Sequence, residues 1–240
     1  MRAFVTGGTA GIGAACVTRL AADGYAVAFT GRDAERGAEV ASRTGATFVP
    51  ADVTDRAAAD AAVERAAEVL GGIDTVVANA GILSRAPLAE ISADEMHRLL
   101  ETNLTAQFRT ARAAWPHLVA AGGGSIALIG SDTSLRGSHR VPAYSVVKAG
   151  TVLVAELLAA EGATLRIRAN AICPGNTLPG MAGDDPATWP VTGDGIHVTA
   201  EEIASCVAWL ASAESAHVNG ATIRIDGAIG AAFIPPPDAG

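Results

Sequence analysis

The chain has 240 residues, is 50% hydrophobic but only 4% aromatic, and carries a net charge of −8 at pH 7. The acidic balance argues against a nucleic-acid surface, which needs a basic patch. The length bounds the chain to one large domain or two small ones, with a core of Ala, Val, Leu and Ile that suits strands covered by helices on both faces.

Strand and helix patterns alternate from the start. Residues 3–6 form a first strand, followed by a glycine loop and a helix over 12–22 that Gly24 ends. A second strand covers 26–30, a helix 34–42, a third strand 47–49, an Ala-rich helix 57–70 and a fourth strand 74–78. Ser92 to Glu95 fit a capping box, and the helix they open runs toward Ala120, with Pro116 ending or bending it. A fifth strand covers 125–129, a long helix 144–160 and a sixth strand 165–172. Thr199 to Glu202 open a helix to Ala211, and a seventh strand covers 222–225. This alternation predicts a parallel sheet with helices on both faces.

One domain is expected over 1–230, with a substrate loop at 174–198 rich in Gly, Pro and Asp, and an irregular tail at 231–240. Cys16, Cys173 and Cys206 lie far apart and read as free thiols in a reducing compartment. His97, His117, His197 and His217 show no metal spacing. No signal-peptide pattern precedes the first strand. The most apolar stretch, 149–160, contains Glu156 and reads as too short to span a bilayer. These features predict a cytoplasmic protein with no metal, membrane or nucleic-acid partner.

Thr6-Gly7-Gly8-Thr9-Ala10-Gly11-Ile12-Gly13 joins the first strand to the first helix. Glycines there permit a tight turn and close approach to a pyrophosphate, and the helix N-terminus offers unpaired N–H groups to phosphate. The second strand ends at Thr30-Gly31-Arg32, with no carboxylate at its tip. Arg32 suits a 2′-phosphate and predicts NADP(H) over NAD(H), although Asp33 stands beside it. Tyr144 and Lys148, at i and i+4, share one helix face, where an ammonium beside a phenol lowers the phenol pKa.

With Ser131 thirteen residues before Tyr144, the chain resembles the short-chain dehydrogenase/reductase family. Further matches run in order: Asp52-Val53, Asn79-Ala80-Gly81, Asn103-Leu104, Pro174-Gly175 and Asp226-Gly227. The resemblance covers roughly residues 1 to 230. It implies a Rossmann-type doubly wound sheet of seven parallel strands, in the order 3-2-1-4-5-6-7. It implies hydride transfer between nicotinamide and a small-molecule carbonyl or alcohol. Tyr144 would be the proton donor, Ser131 would hold the substrate oxygen, and Lys148 would bind nicotinamide ribose and tune Tyr144. Asn103 would shape its helix for a water relay to Lys148. Gly7, Thr9, Gly11, Ile12, Gly13 and Arg32 would bind cofactor with Asp52 and Val53 at the adenine. Asn79, Ala80 and Gly81 would flank it, and Pro174, Gly175 and Thr177 would lie beside the nicotinamide.

The chain departs from the family pattern mildly at Ala78, at Val147, and at Thr177 and Pro179, where the expected nicotinamide clamp is altered, and the segment 174–201 reads as shorter than in many relatives. Asp132 reads as a turn residue rather than a contact to a polar substrate, and His139 and Arg140 as candidates for the mouth of the site, where Arg140 either selects an anionic group or is a solvated loop residue. Trp189 either covers substrate or anchors its loop. Asp184, Asp185 and Asp194 argue against highly anionic substrates. The helices at 108–119 and 144–160 are apolar on more than one stripe, which predicts a homo-oligomer, a tetramer or dimer. Two other functions stay open: an epimerase or isomerase that recycles its cofactor, and a non-catalytic NADP-sensing module.

Overall fold

The computed structural model describes residues 1–178 and 197–228. Proposed features at Pro179, Asp184, Asp185, Trp189, Asp194 and the tail lie outside the described residues. Seven strands form one parallel sheet: β1 (Arg2–Thr6), β2 (Ala26–Gly31), β3 (Thr47–Pro50), β4 (Thr75–Ala78), β5 (Gly124–Ile129), β6 (Ile167–Pro174) and β9 (Thr222–Ile225). Their order is β3-β2-β1-β4-β5-β6-β9, which is the expected one. The seventh strand carries the number nine because β7 (Thr177–Leu178) and β8 (Val198–Thr199) pair separately, where the sequence predicts only loop.

The helices are α1 (Gly11–Ala22), α2 (Ala34–Thr44), α3 (Arg56–Leu70), α4 (Ala93–Leu100), α5 (Ala106–Ala120), α6 (Pro142–Gly162) and α7 (Ala200–Ala211). Successive strand residues feed opposite faces of the sheet. Val5, Val77 and Ile129 pack with Cys16, Leu20 and Ile203, from α1 and α7. Phe4, Val76 and Leu128 pack with Val63, Leu118 and Leu158, from α3, α5 and α6. The core is thus two aliphatic layers, and the rarity of aromatic rings permits close helix-on-sheet contact.

Two expectations are corrected. Pro116 lies inside α5 and does not end it. Its ring is on the exposed face, where water can satisfy the carbonyl it frees, while fully buried Leu118 anchors the last turn. The expected single helix from residue 93 also carries a π-turn at Glu101–Thr105 between α4 and α5. Helix α6, with the short 3-10 turn after it, spans 24 residues, Pro142–Leu165. By length and hydropathy alone it could cross a bilayer. Its buried stripe of Tyr144, Lys148, Thr151, Ala155 and Leu158 faces the sheet, which makes it a core helix.

Candidate active site

The C-terminal ends of the strands open into one cleft of about 1590 Å³. Such crevices are where ligands bind in open α/β sheets. At the β1 end, Gly7 and Gly11 adopt φ of +68° and +52°, which a side chain would strain. The N-cap of α1 is Ala10, whose side chain makes no capping bond. By contrast, Asp33, Asp55 and Thr199 cap α2, α3 and α7. The first N–H groups of α1 therefore point to the cleft without a side-chain acceptor. Gly13 does not line the cleft. It is buried beneath the loop, where a Cβ would collide with the Gly7 carbonyl oxygen. That crowding demands glycine at this position.

Asn79 locks the loop from below. Its side-chain amide donates to the carbonyls of Thr6 (3.0 Å) and Gly7 (3.2 Å), and its backbone N–H donates to Thr6 Oγ1 (3.0 Å). At the tip of β2, Arg32 and Arg36 line the cleft, with Arg32 Nη1 3.9 Å from Asp52 Oδ2. Burial raises the Asp52 carboxyl, but hydrogen bonds from Thr54 and the Arg32 charge outweigh it and hold the group below its ordinary range. Asp33 accepts from the Arg36 N–H at 3.0 Å and serves as the α2 cap.

At the β5 end, Ser131, Tyr144 and Lys148 converge, all buried and all lining the cleft. Pro142 starts α6, an ordinary first-turn position, and one turn places Lys148 above Tyr144. Lys148 Nζ donates to the Ile129 carbonyl at 2.7 Å and lies 5.9 Å from the centroid of the Tyr144 ring. Burial pushes Lys148 down to about 8. Burial also pushes the Tyr144 phenol above its ordinary range, against an opposing hydrogen bond with Ser131. The expectation that Lys148 lowers the phenol is thus not met in the protein alone, because desolvation of the phenolate dominates.

Ser131 Oγ donates to Asp132 Oδ1 (3.0 Å) and accepts from the N–H (3.2 Å) and Oγ1 (3.0 Å) of Thr133. Asp132 is more than a turn residue, because it lines the cleft and holds the Ser131 proton. Burial raises its carboxyl, with the Asp226 charge adding to the effect against the Ser131 and Thr133 hydrogen bonds.

Asn103 is fully buried in the π-turn and does not line the cleft. Its side chain closes a ring with Ile82, accepting from the Ile82 N–H and donating to the Ile82 carbonyl, each at 3.0 Å. A Cβ on Gly81 would come within 2.6 Å of Asn103 Oδ1. Asn103 thereby fixes the cleft wall beside Gly81.

Residues 1–188 match the family model for short chain dehydrogenases. The chain belongs to that family. Over 94% of its length it is 35% identical to cis-4-hydroxycyclohexanecarboxylate dehydrogenase of Sinomonas cyclohexanicum, covering 94% of that protein. It is 34% identical to acetoacetyl-CoA reductase of Rhizobium meliloti (strain 1021), over 94% of this chain and 96% of that one. Among solved structures it is similar to a dehydrogenase/reductase from Sinorhizobium meliloti 1021, with a TM-score of 0.87, 36% identity, and coverage of 94% of this chain and 93% of that one.

This short-chain dehydrogenase is an oxidoreductase of the CH–OH/C=O class, which uses a nicotinamide cofactor. The cleft fits that group: an uncapped helix N-terminus, close-approach glycines and a long groove across the strand ends. Thr9, Ile12, Val53, Ala80, Gly81, Pro174, Gly175 and Thr177 line it, with Gly7, Gly11, Arg32, Asp52 and Asn79. Arg85 and Arg136 line it too, in the stretches 82–90 and 132–142 where the sequence places substrate selectivity, whereas Arg36, Thr54 and Thr102 were missed. Arg36 was within reach of pattern reasoning, lying four residues after Arg32 at the start of α2. Gln107 was also missed. It is buried below the site, donating to the Ile129 carbonyl at 2.9 Å and accepting from Thr151 at 3.0 Å. The thiols carry no sign of reactivity. Burial pushes Cys16 up to about 12 and Cys206 to about 11, and raises Cys173.

Proposed function

We propose that this chain is an NADPH-preferring reductase of ketones, or the reverse dehydrogenase of secondary alcohols, with Tyr144 as general acid/base. One observation carries the reading. Ser131, Tyr144 and Lys148 meet at one end of a cleft whose other end is an uncapped helix N-terminus flanked by Arg32 and Arg36.

When bound, the nicotinamide supplies or takes the hydride. Ser131 orients the substrate oxygen with the hydroxyl it now shares with Asp132, and stabilises charge developing there. Tyr144, held neutral by burial, donates its proton to that oxygen. Lys148, charged below about pH 8, then stabilises the phenolate left behind. Asn103 keeps the wall at Gly81 and Ile82 in place.

The NADPH preference rests on charge at the β2 tip. Two arginines line the cleft there, and Asp33 beside them caps the α2 N-terminus and pairs with Arg36 at 3.4 Å. Asp52, the other carboxylate at this end, lies past β3, is tied to Thr54 at 2.8 Å and stands 3.9 Å from Arg32 Nη1.

A homo-oligomer belongs to the same proposal. Phe108, Val146, Leu153 and Leu157 leave large apolar areas of α5 and α6 exposed, and a second copy would cover them isologously.

The test is NADPH consumption with a panel of cyclic and 3-oxo ketones, counted against product. The expected result is one NADPH oxidised per alcohol formed, with Tyr144→Phe reduced at least 100-fold but still binding NADPH. Product formed without net NADPH consumption would instead favour isomerase chemistry.

A further inference from the structure

The chain as a whole is acidic, with 17 Lys and Arg against 25 Asp and Glu. The cleft inverts that balance. Among the described residues, six cationic side chains line it against two carboxylates, Asp52 and Asp132.

The cations fall into separate groups. Arg32 and Arg36 follow β2 and lie at the adenosine end. Lys148 is buried in the site itself. Arg136 and Arg140 follow β5, on the segment that joins Ser131 to Tyr144. Arg85 follows β4, four residues beyond Gly81. Strands β2 and β5 are separated by β1 and β4, so their tips stand about 14 Å apart at ordinary strand spacing. Arg136 and Arg140 are therefore out of place for the 2′-phosphate that Arg32 and Arg36 suit. Arg85, Arg136 and Arg140 are exposed at the rim, while Ser131 and Tyr144 are buried deeper.

We propose that this end of the cleft selects substrates bearing an anionic group, a carboxylate or a phosphate, which Arg85, Arg136 and Arg140 hold at the rim while the reacting carbonyl sits at Ser131 and Tyr144. Asp132 gives the arrangement a direction. Its carboxylate lies against Ser131 and repels an anion from the floor, so the charged end points outward. An arginine presents five N–H donors in a fork that matches carboxylate and phosphate, so one already paired within the protein retains donors for a ligand. The inference rests on the proposed reductase reading. It also opposes the sequence expectation drawn from Asp184, Asp185 and Asp194, which lie outside the described residues.

The experiment compares matched ketones with the NADPH-loaded protein: 4-oxopentanoate against 4-oxopentanamide, and dihydroxyacetone phosphate against dihydroxyacetone. Binding is read by calorimetry and turnover by NADPH consumption. The expected result is at least tenfold tighter binding of one anionic member than of its neutral partner. That ratio falls toward one in an Arg85→Gln/Arg136→Gln/Arg140→Gln variant, and folds back toward one in wild type at high salt. The carboxylate and phosphate pairs show which anion the rim takes. Equal binding of anionic and neutral members, or a ratio that the triple variant leaves unchanged, would overturn the proposal. Turnover separates the two readings. Anion-selective binding without any NADPH consumption sinks the reductase reading alone, and consumption of neutral and charged ketones alike sinks the anion rim alone.

Discussion

Gln107 and Lys148 share one acceptor, the Ile129 carbonyl at the tip of β5, at 2.9 and 2.7 Å. That oxygen belongs to the strand that presents Ser131 two residues later. The ammonium is thus fixed to the same backbone as the serine, and Thr151 holds the far end of Gln107 at 3.0 Å.

Replacing Gln107 by Leu removes one of the two Ile129 donors and leaves the Thr151 hydroxyl without its acceptor inside the core. The expected loss of stability is about 1–3 kcal/mol. Urea midpoints of the two proteins check it, and an unchanged midpoint would show that the network is not structural.

The buried charge of Lys148 costs stability. Its pKa falls from 10.5 to about 8 on folding. The unfolded chain therefore holds a proton that the folded one releases between those values. Stability rises with pH through that window, and the penalty is complete below pH 8. It amounts to about 3 kcal/mol at pH 7, against about 1 kcal/mol for the lost hydrogen bond to Ile129. Lys148→Met should therefore be more stable than wild type by about 2 kcal/mol at pH 6.5, with the gain shrinking by pH 10, while its activity collapses. Urea melts at the two pH values measure this; a variant that is less stable at pH 6.5 would contradict it.

The phenol of Tyr144 stays protonated across neutral pH because burial raises it. The protonated form is the one that donates to a ketone oxygen, so reduction should hold its rate from pH 6 to 8. Alcohol oxidation needs the phenolate and should climb with pH over the same range. Initial rates in both directions test the pair of slopes, and oxidation that falls as pH rises would remove Tyr144 as the base.

Asn103→Ala should destabilise the protein by about 2–4 kcal/mol, since it strips partners from both the N–H and the carbonyl of Ile82 in one step. Activity should fall with it, because Gly81 and Ile82 form the cleft wall. Thermal melts and NADPH-dependent rates on the same preparation check both effects, and a variant with a native melting temperature would reduce Asn103 to a bystander.

The sheet was legible in the sequence because each strand is a short apolar run between a helix pattern and a turn, and the order followed from the family resemblance. The glycine loop, Ser131, Tyr144 and Lys148 were legible for the same reason: their spacing is local. What escaped depends on distance in space. Gln107 reaches Ile129 across 22 residues, and nothing near it in sequence marks it as part of the site. Gly13 reads as a ligand contact by motif, and the crowding against the Gly7 carbonyl that also demands glycine there is visible only in space. The Tyr144 phenol was expected to be lowered by its i+4 neighbour. Burial, which the helix pattern does not measure, decides the opposite direction. Pro116 reads as ending or bending its helix because its local effect is unfavourable; the helix does not end there, since the packing of Leu118 carries it on.

The most direct test of the central claim needs no substrate: fluorescence titration of the protein with NADPH and NADH, beside Arg32→Ala and Arg36→Ala. The account predicts at least tenfold tighter binding of NADPH, equivalent to about 1.4 kcal/mol, with most of that margin lost in each variant. NADH binding as tightly as NADPH, or a preference that survives both substitutions, would contradict it.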